Sequence, residues 1–463
     1  MITFFCDRVL PLFCLTSSLF LYSLVNTIPS QAQISSDGTT NTLVTSDGNT
    51  FVIESGTSVG TNLFHSFQEF SLPTGQEAFF NNGTTIENIV GRVTGGNASE
   101  INGLIKTNGT ANLFLINPLG IIFGPNAQLD IGGSFFASTA ESIKFTDGSS
   151  FGVNSSTAPL LTLNVPIGLQ FGSNPGRISN QSRAINSSGE VVGLQVPVGQ
   201  SLALIGGDVS LVGGQLTAPQ GQIEIGSVAS NSLVNLTPTA SSFSLGYEAV
   251  ENFSDIELLQ QAVINANGAG GGTIQMQGAN ISLTDNSQVV ADTLGNVDGG
   301  GIFIRANQLT VQEGAFVSAS TFGEGAGGSL NVKASSLNIT SDGKLQELLD
   351  QLFSGQTILP SQFGSGLFSL SYSVGRANDL SVETENLSLR EGALISTTPF
   401  DGGRGGDMMV KVSESIELIG SEFLANSFGD GDAGLVTVET SKLFISEGAG
   451  IFASTSGAGQ AGT

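Results

Sequence analysis

The sequence holds two cysteines, one histidine and no tryptophan in 463 residues, and each shortage removes a class of chemistry. Ser/His/Asp and Cys/His catalysis need a histidine beside the nucleophile, and a Cys/His zinc site needs several such ligands together. Positive charge is scarce too: 14 Lys+Arg stand against 39 Asp+Glu, a formal net charge of -25. Nucleic acid is therefore excluded as a partner, and anionic membrane surfaces are disfavoured, because both are bound mainly through cations. Charged residues reach only 11% and hydrophobic ones 39%, so the chain is not a disordered acidic tail. One long apolar run, residues 9–25, follows Arg8 and precedes Pro29-Ser30-Gln31-Ala32. That order reads as a secretory signal peptide over residues 1–32. Cys6 and Cys14 both lie inside it, so cleavage after Ala32 leaves an exported chain that no disulfide can staple.

Glycine is abundant, with 63 residues, and it recurs at regular places. From Ile256 an apolar pair flanking one residue returns as Ile256/Leu258, Ile281/Leu283, Leu309/Val311, Leu337/Ile339, Leu387/Leu389, Ile416/Leu418 and Leu443/Ile445. The steps between first members are 25, 28, 28, 50, 29 and 27 residues. Alternation sets both members of a pair on one side of a strand. A second strand follows, as in Val317-Ser318-Ala319-Ser320-Thr321, then a corner such as Gly325-Ala326-Gly327-Gly328, then a third strand such as Ile302-Phe303-Ile304. Three short strands turning at glycine corners, few longer than five residues, describe an all-β chain coiled as a parallel β-solenoid. One repeat cannot bury its apolar side alone, whereas stacked coils align like residues into ladders. Leu309, Leu337, Leu387 and Leu443 are thus expected to stack inside the core.

The step of 50 carries an insertion near residues 341–378. Within it Leu345, Leu348, Leu349 and Leu352 fall at helical spacing, which predicts a short amphipathic helix packed as a patch on the coil. Residues 33–250 are less regular but strand-like, as at 201–205 and 222–225, and the solenoid is expected from about residue 40 onward. The chain reaches Thr463 at a glycine corner with no different capping sequence. The domain scheme is a signal peptide (1–32), an N-terminal domain (33–250) and solenoid repeats of about 28 residues (251–463) that read as truncated.

Three strings in the N-terminal domain carry a family likeness: Asn62-Leu63-Phe64-His65-Ser66-Phe67 with Phe70-Ser71-Leu72-Pro73-Thr74-Gly75, then Gly91-Arg92-Val93-Thr94-Gly95-Gly96, then the run over residues 112–127. They resemble the secretion domain of filamentous-haemagglutinin-type two-partner secretion exoproteins, in their cyanobacterial style. The resemblance implies export of the unfolded chain through an outer-membrane β-barrel transporter with POTRA domains. It also implies folding outside as a right-handed parallel β-helix, with no cofactor, and a final place at the cell surface or in the medium. Asn117-Pro118-Leu119-Gly120 stands where the family usually has Asn-Pro-Asn-Gly, and the companion Asn-Pro-Asn-Leu is not evident. Asn117, Pro118, Leu119 and Gly120 are the candidate transporter-recognition residues, whereas Asn62, Leu63, Phe64, His65, Ser66 and Phe67 read as structural. Physically, Asn at i, Pro at i+1 and Gly at i+3 also make a type I turn. As a turn alone, Gly120→Ala costs little unless φ is positive.

The function suggested is an extended adhesion or cell-contact scaffold without catalysis, its surface ligand unnamed. Two other classes stay open. A β-helix enzyme acting on polysaccharide needs only carboxylates, but several of them in one groove. A carrier of a contact-dependent toxin would have its toxic part outside this chain. The G-x-G-x-x-G matches at residues 323–328 and 429–434 precede strands, which excludes the dinucleotide reading. Asp401, Asp407, Asp430 and Asp432 read as turn carboxylates, with Ca²⁺ ligation as the alternative.

Overall fold

The computed structural model describes residues 34–154, 165–239, 242–343, 345–354 and 356–463. The signal-peptide reading of residues 1–32 lies outside the described residues. From Asn62 the chain winds as a right-handed parallel β-helix, each turn laying its strands on those of the turn before. The apolar pairs set the register. Ile256 lies on Ile281, then follow Leu309, Leu337, Leu387, Ile416 and Leu443, all in parallel pairing. Leu309, Leu337 and Leu389 are fully buried, and burying each such side chain contributes roughly 1.5–3 kcal/mol. The long step keeps register because the insertion leaves and returns at adjacent points. There the Ser365 N–H donates to Ser341 Oγ at 3.1 Å. The insertion ends sooner than residue 378, because Gly366–Phe368 already pairs as a coil strand with Phe316–Ser318. The expected helix spans Leu345–Phe353, and Leu352, Ile358 and Phe363 of the insertion pack with Phe368, Leu370 and Leu394 of the coils.

Two expectations about the coils fail. Strands longer than five residues are common: Gly301–Gln312, Ser329–Thr340 and Met408–Ile419 run for 12 residues each. No glycine stands at Ala306-Asn307 or Ala334-Ser335, so hydrogen bonding continues round the bend and joins two segments into one strand. One turn earlier Gly278 occupies that place, and the strand divides into Thr273–Gln277 and Asn280–Leu283. Leu443, although in register, is 44% exposed. Among the described residues no further turn pairs with Val436–Ser446, so its side chain lacks an upper neighbour.

Nor is the solenoid parallel from about residue 40. Ile34–Ser36 and Thr57–Val59 pair antiparallel with Asn62–Phe70, and Thr42–Asp47 forms a hairpin with Thr50–Ser55. These strands cover the first turn, whose edge would otherwise be open for pairing. Two excursions add a five-stranded sheet of Ser142–Phe145, Ser150–Gly152, Pro166–Gln170, Leu233–Pro238 and Phe243–Gly246, its pairings antiparallel. The sheet covers the outward face of the early turns, where Phe64, Phe114, Phe136 and Ile205 share one apolar cluster with Phe145, Phe151, Leu169 and Phe243. That double burial explains the continuous apolar run Leu113-Phe114-Leu115-Ile116, since a strand covered on both faces needs no alternation.

Candidate functional site

Residues 117–120 join Asn112–Ile116 to Ile121–Phe123. The Gly120 N–H donates to the Asn117 carbonyl at 3.1 Å and closes the turn, while the Leu119 N–H donates to Asn117 Oδ1 at 3.0 Å. Asn117 Nδ2 donates to the Asn97 carbonyl and to Ser99 Oγ, both at 3.0 Å. One buried amide thus ties the turn to the preceding coil. From the other side the Gly176 N–H donates to the Pro118 carbonyl at 2.8 Å and the Ile121 N–H to the Arg177 carbonyl at 3.1 Å. Gly120 has φ 126, and a Cβ there would sit 3.0 Å from the Arg177 carbonyl oxygen. The φ is positive, the condition under which alanine at 120 is not cheap, and alanine there is strained. Asn117 and Gly120 are buried, Pro118 is half-buried, and Leu119 is 51% exposed. In the folded chain a partner can touch Leu119 and Pro118 but not the asparagine side chain.

The 62–67 string lies in the first parallel strand and points both ways. Leu63 and Phe67 enter the helix interior, while Phe64 meets the antiparallel sheet. Asn88 Nδ2 donates to Asn62 Oδ1 at 3.0 Å, Asn112 Nδ2 to Asn88 Oδ1 at 3.1 Å, and the Ser134 N–H to Asn112 Oδ1 at 2.9 Å. This amide ladder repeats where stacked strands begin. His65 is buried with Nδ1 at 3.1 Å from Thr42 Oγ1, and its ring stacks on Phe67 at 6.0 Å. Burial pushes its pKa down to about 4, so it is neutral at pH 7.

Arg92 is the residue whose part the sequence did not disclose. It is fully buried. Its Nε donates to Ser66 Oγ at 2.8 Å, Nη2 to Thr39 Oγ1 at 2.9 Å and Nη1 to the Gly152 carbonyl. Its guanidinium also lies 4.4 Å from the centre of the Phe151 ring, a cation–π contact. Ser66 Oγ passes the chain of hydrogen bonds on, donating to Asp37 Oδ2 at 2.6 Å. Burial would raise the Asp37 pKa, but hydrogen bonds from Ser66, Thr39 and Thr94 hold it below the usual carboxylate value. Burial lowers the Arg92 pKa, and the Asp37 charge opposes that. One side chain thereby joins the cap, the first coils and the antiparallel sheet. The available signal was an arginine flanked by Ile89, Val90 and Val93 in a chain poor in cations.

Among the described residues no three or more His, Cys, Asp or Glu are grouped to hold a metal. Two of the corner carboxylates bond the next coil: Asp407 Oδ1 accepts from the Leu435 N–H at 3.1 Å and Asp432 Oδ1 from the Gln460 N–H at 2.7 Å.

The family model for the TPS secretion domain matches residues 32–276, more than half of the chain, and the protein belongs to that family. It is a two-partner secretion exoprotein, and membership brings a transport partner in the outer membrane. The crystal structure of the HMW1 secretion domain from Haemophilus influenzae is similar in fold, with a TM-score of 0.57 and 16% identity over 93% of this chain and 99% of that one. The crystal structure of the filamentous hemagglutinin secretion domain matches at 15% identity over 92% and 99% of the two chains, but its TM-score of 0.33 adds nothing to the fold assignment. No curated protein sequence matches this chain.

Proposed function

We propose that the chain is made with a cleaved signal peptide over residues 1–32, crosses the outer membrane through a POTRA-domain β-barrel, and serves outside as an adhesion or contact scaffold without catalysis. Residues 33–250 act in export, and residues 251–463 form the extended stalk. The observation that carries this reading is the family match over the segment holding both the cap and the 117–120 turn. Recognition by the transporter is assigned to Asn117, Pro118, Leu119 and Gly120, read from the unfolded chain, because only there is the asparagine side chain accessible. A polysaccharide-acting enzyme has less support: the family match is to a secretion domain, and in the groove lined by Glu383, Glu385 and Glu439 the first of these is paired with Lys333 at 2.8 Å. Co-expression with the partner barrel tests the export reading: secreted yield should fall to background when the barrel is absent. Equal secretion without any such barrel overturns it.

A further inference from the structure

Three concavities on the outward face of the coils share their walls. The first, about 380 Å³, lies at the edge of the antiparallel sheet and is lined by Tyr247, Glu248, Phe253, Gln277, Phe303 and Arg305 among others. The second, about 290 Å³, shares Phe303 and Arg305 and adds Lys333 and Glu383. The third, about 590 Å³, shares Lys333 and Glu383 and continues to Lys411 and Glu439 over a floor that includes Ala334, Ser335, Ser413 and Ser441. Together they make one trough running from coil to coil.

A single outward row lines the trough in register: Gln277, Arg305, Lys333, Glu383, Lys411 and Glu439. Donors and acceptors therefore follow one another at the spacing of neighbouring strands, about 4.8 Å. Lys333 and Glu383 pair with each other while staying well exposed. Among the described residues Arg305 and Lys411 make no side-chain hydrogen bond or ion pair, and they flank that pair on both sides. Phe303, 39% exposed, offers an aromatic face beside Phe253 at the sheet end.

The mixed signs select the ligand. A polyanion meets Glu248, Glu383 and Glu439 on a chain of net charge -25, and a polycation meets Arg305, Lys333 and Lys411. An extended peptide advances about 3.3 Å per residue and falls out of step with the coils. A sugar unit in an extended glycan advances by about one strand spacing and carries donor and acceptor hydroxyls at every step. We propose that the trough binds a linear neutral polysaccharide along the helix axis, with a ring on Phe303 and hydroxyls bridging Arg305, Lys333, Glu383 and Lys411. The cellular meaning rests on the adhesive reading above; the binding itself does not depend on export.

The test is calorimetric titration of the purified full chain with a β-linked glucose hexamer, an α-linked mannose hexamer, hexagalacturonate and a hexaglutamate peptide. At least one neutral hexamer should bind, and Arg305→Ala or Lys411→Ala should weaken it about tenfold. Ser413→Trp, which fills the floor, should abolish binding, and Arg404→Ala at a distant corner should leave it unchanged. Melting temperatures check each variant, and Ser335→Trp replaces Ser413→Trp if the latter unfolds. The proposal is overturned if neither neutral hexamer binds, if hexagalacturonate or the peptide binds more tightly, or if a tryptophan in the floor has no effect. Failure here leaves secreted yield untouched, so it is distinct from failure of the export reading.

Discussion

The first coils and the regular coils after residue 300 share one strand geometry but are held together differently. Between Gly301 and Ser446 the same job is done in each turn by equivalent residues, as Leu309, Leu337 and Leu387 show. Each contact is local, and its loss is felt mainly by the neighbouring turns. Around the first turn an amide ladder starts at Asn62 and Asn88, but the cap below it has no counterpart in later turns. An antiparallel cap must close an open edge, and it is pinned by one arginine joining Thr39, Ser66 and Gly152. Ladders tolerate change because they are redundant, whereas the start of the helix relies on groups that have no substitute.

The largest effect should therefore come from Arg92. Arg92→Leu removes the cation near half-buried Asp37 and strips the Ser66, Thr39 and Gly152 acceptors of their donor. Breaking such a buried set costs about 3–5 kcal/mol. Arg92→Lys should recover little, because an ammonium cannot supply the fork. Lys333→Ala in the regular coils removes an exposed pair and should cost at most about 1 kcal/mol. Denaturant titration of the three variants measures the contrast, and equal losses for Arg92→Leu and Lys333→Ala would erase it.

Within the regular coils, position decides the next effect. Leu337 is fully buried between Leu309 and Leu387, so Leu337→Ala should cost about 3 kcal/mol. Leu443 holds the equivalent place three turns on but is 44% exposed, and its replacement by alanine should cost less than half as much. The same titrations read both.

The two regions should also respond to pH with opposite signs. His65 has its pKa pushed down to about 4 by burial, against an ordinary value near 6.5. Its contribution is whole above about pH 6.5 and is lost as pH falls through 4. Asp292 is buried under the coils, accepting from Ser318 Oγ at 2.6 Å and the Ser320 N–H at 2.8 Å, and burial raises its pKa to about 7. Its contribution is whole below the ordinary aspartate value and is lost as pH rises through about 7. Each window should carry on the order of 3–4 kcal/mol. Asp292→Asn keeps both acceptor contacts and should remove the fall between about pH 4 and 7, while His65→Leu should remove the opposing rise between about pH 4 and 6.5. The two windows overlap with opposite signs, so each variant should uncover the slope of the other group in melting curves from about pH 4 to about pH 9, and an unchanged slope overturns that group's part.

How far the sequence could be read follows from the same contrast. Seven apolar pairs gave the strand register from Ile256 to Ile445, because repetition presents the same evidence many times. The antiparallel cap and sheet were not legible, since apolar alternation places a strand but says nothing of its direction. The 12-residue strands were missed because the missing glycine at Ala306-Asn307 carries the information. Arg92 gave little sign because its partners at 39, 66 and 152 are remote in sequence. The turn at 117–120 was legible as a turn, but the positive φ of Gly120 and the Arg177 carbonyl set against it by the chain returning from the first excursion were not.

The smallest stability effect belongs to Leu119, where fold and export separate most cleanly. Gly120→Ala imposes a side chain at φ 126 and should cost about 1–3 kcal/mol. Asn117→Ala leaves the Asn97 carbonyl and Ser99 Oγ short of a donor and should cost about as much. Export lost in either variant is therefore confounded with folding. Leu119→Asn is not: the side chain is 51% exposed, and such surface changes usually lie within about 0.5 kcal/mol. It also restores the motif usual in the family. If the transporter reads this string, secreted yield from a host with the partner barrel should hold or rise while the melting temperature stays put. A fall in yield at constant stability would instead show that the barrel is fitted to leucine at this place. Yield that follows melting temperature across all three variants would leave the turn a structural element, and recognition would have to lie elsewhere in the first coils.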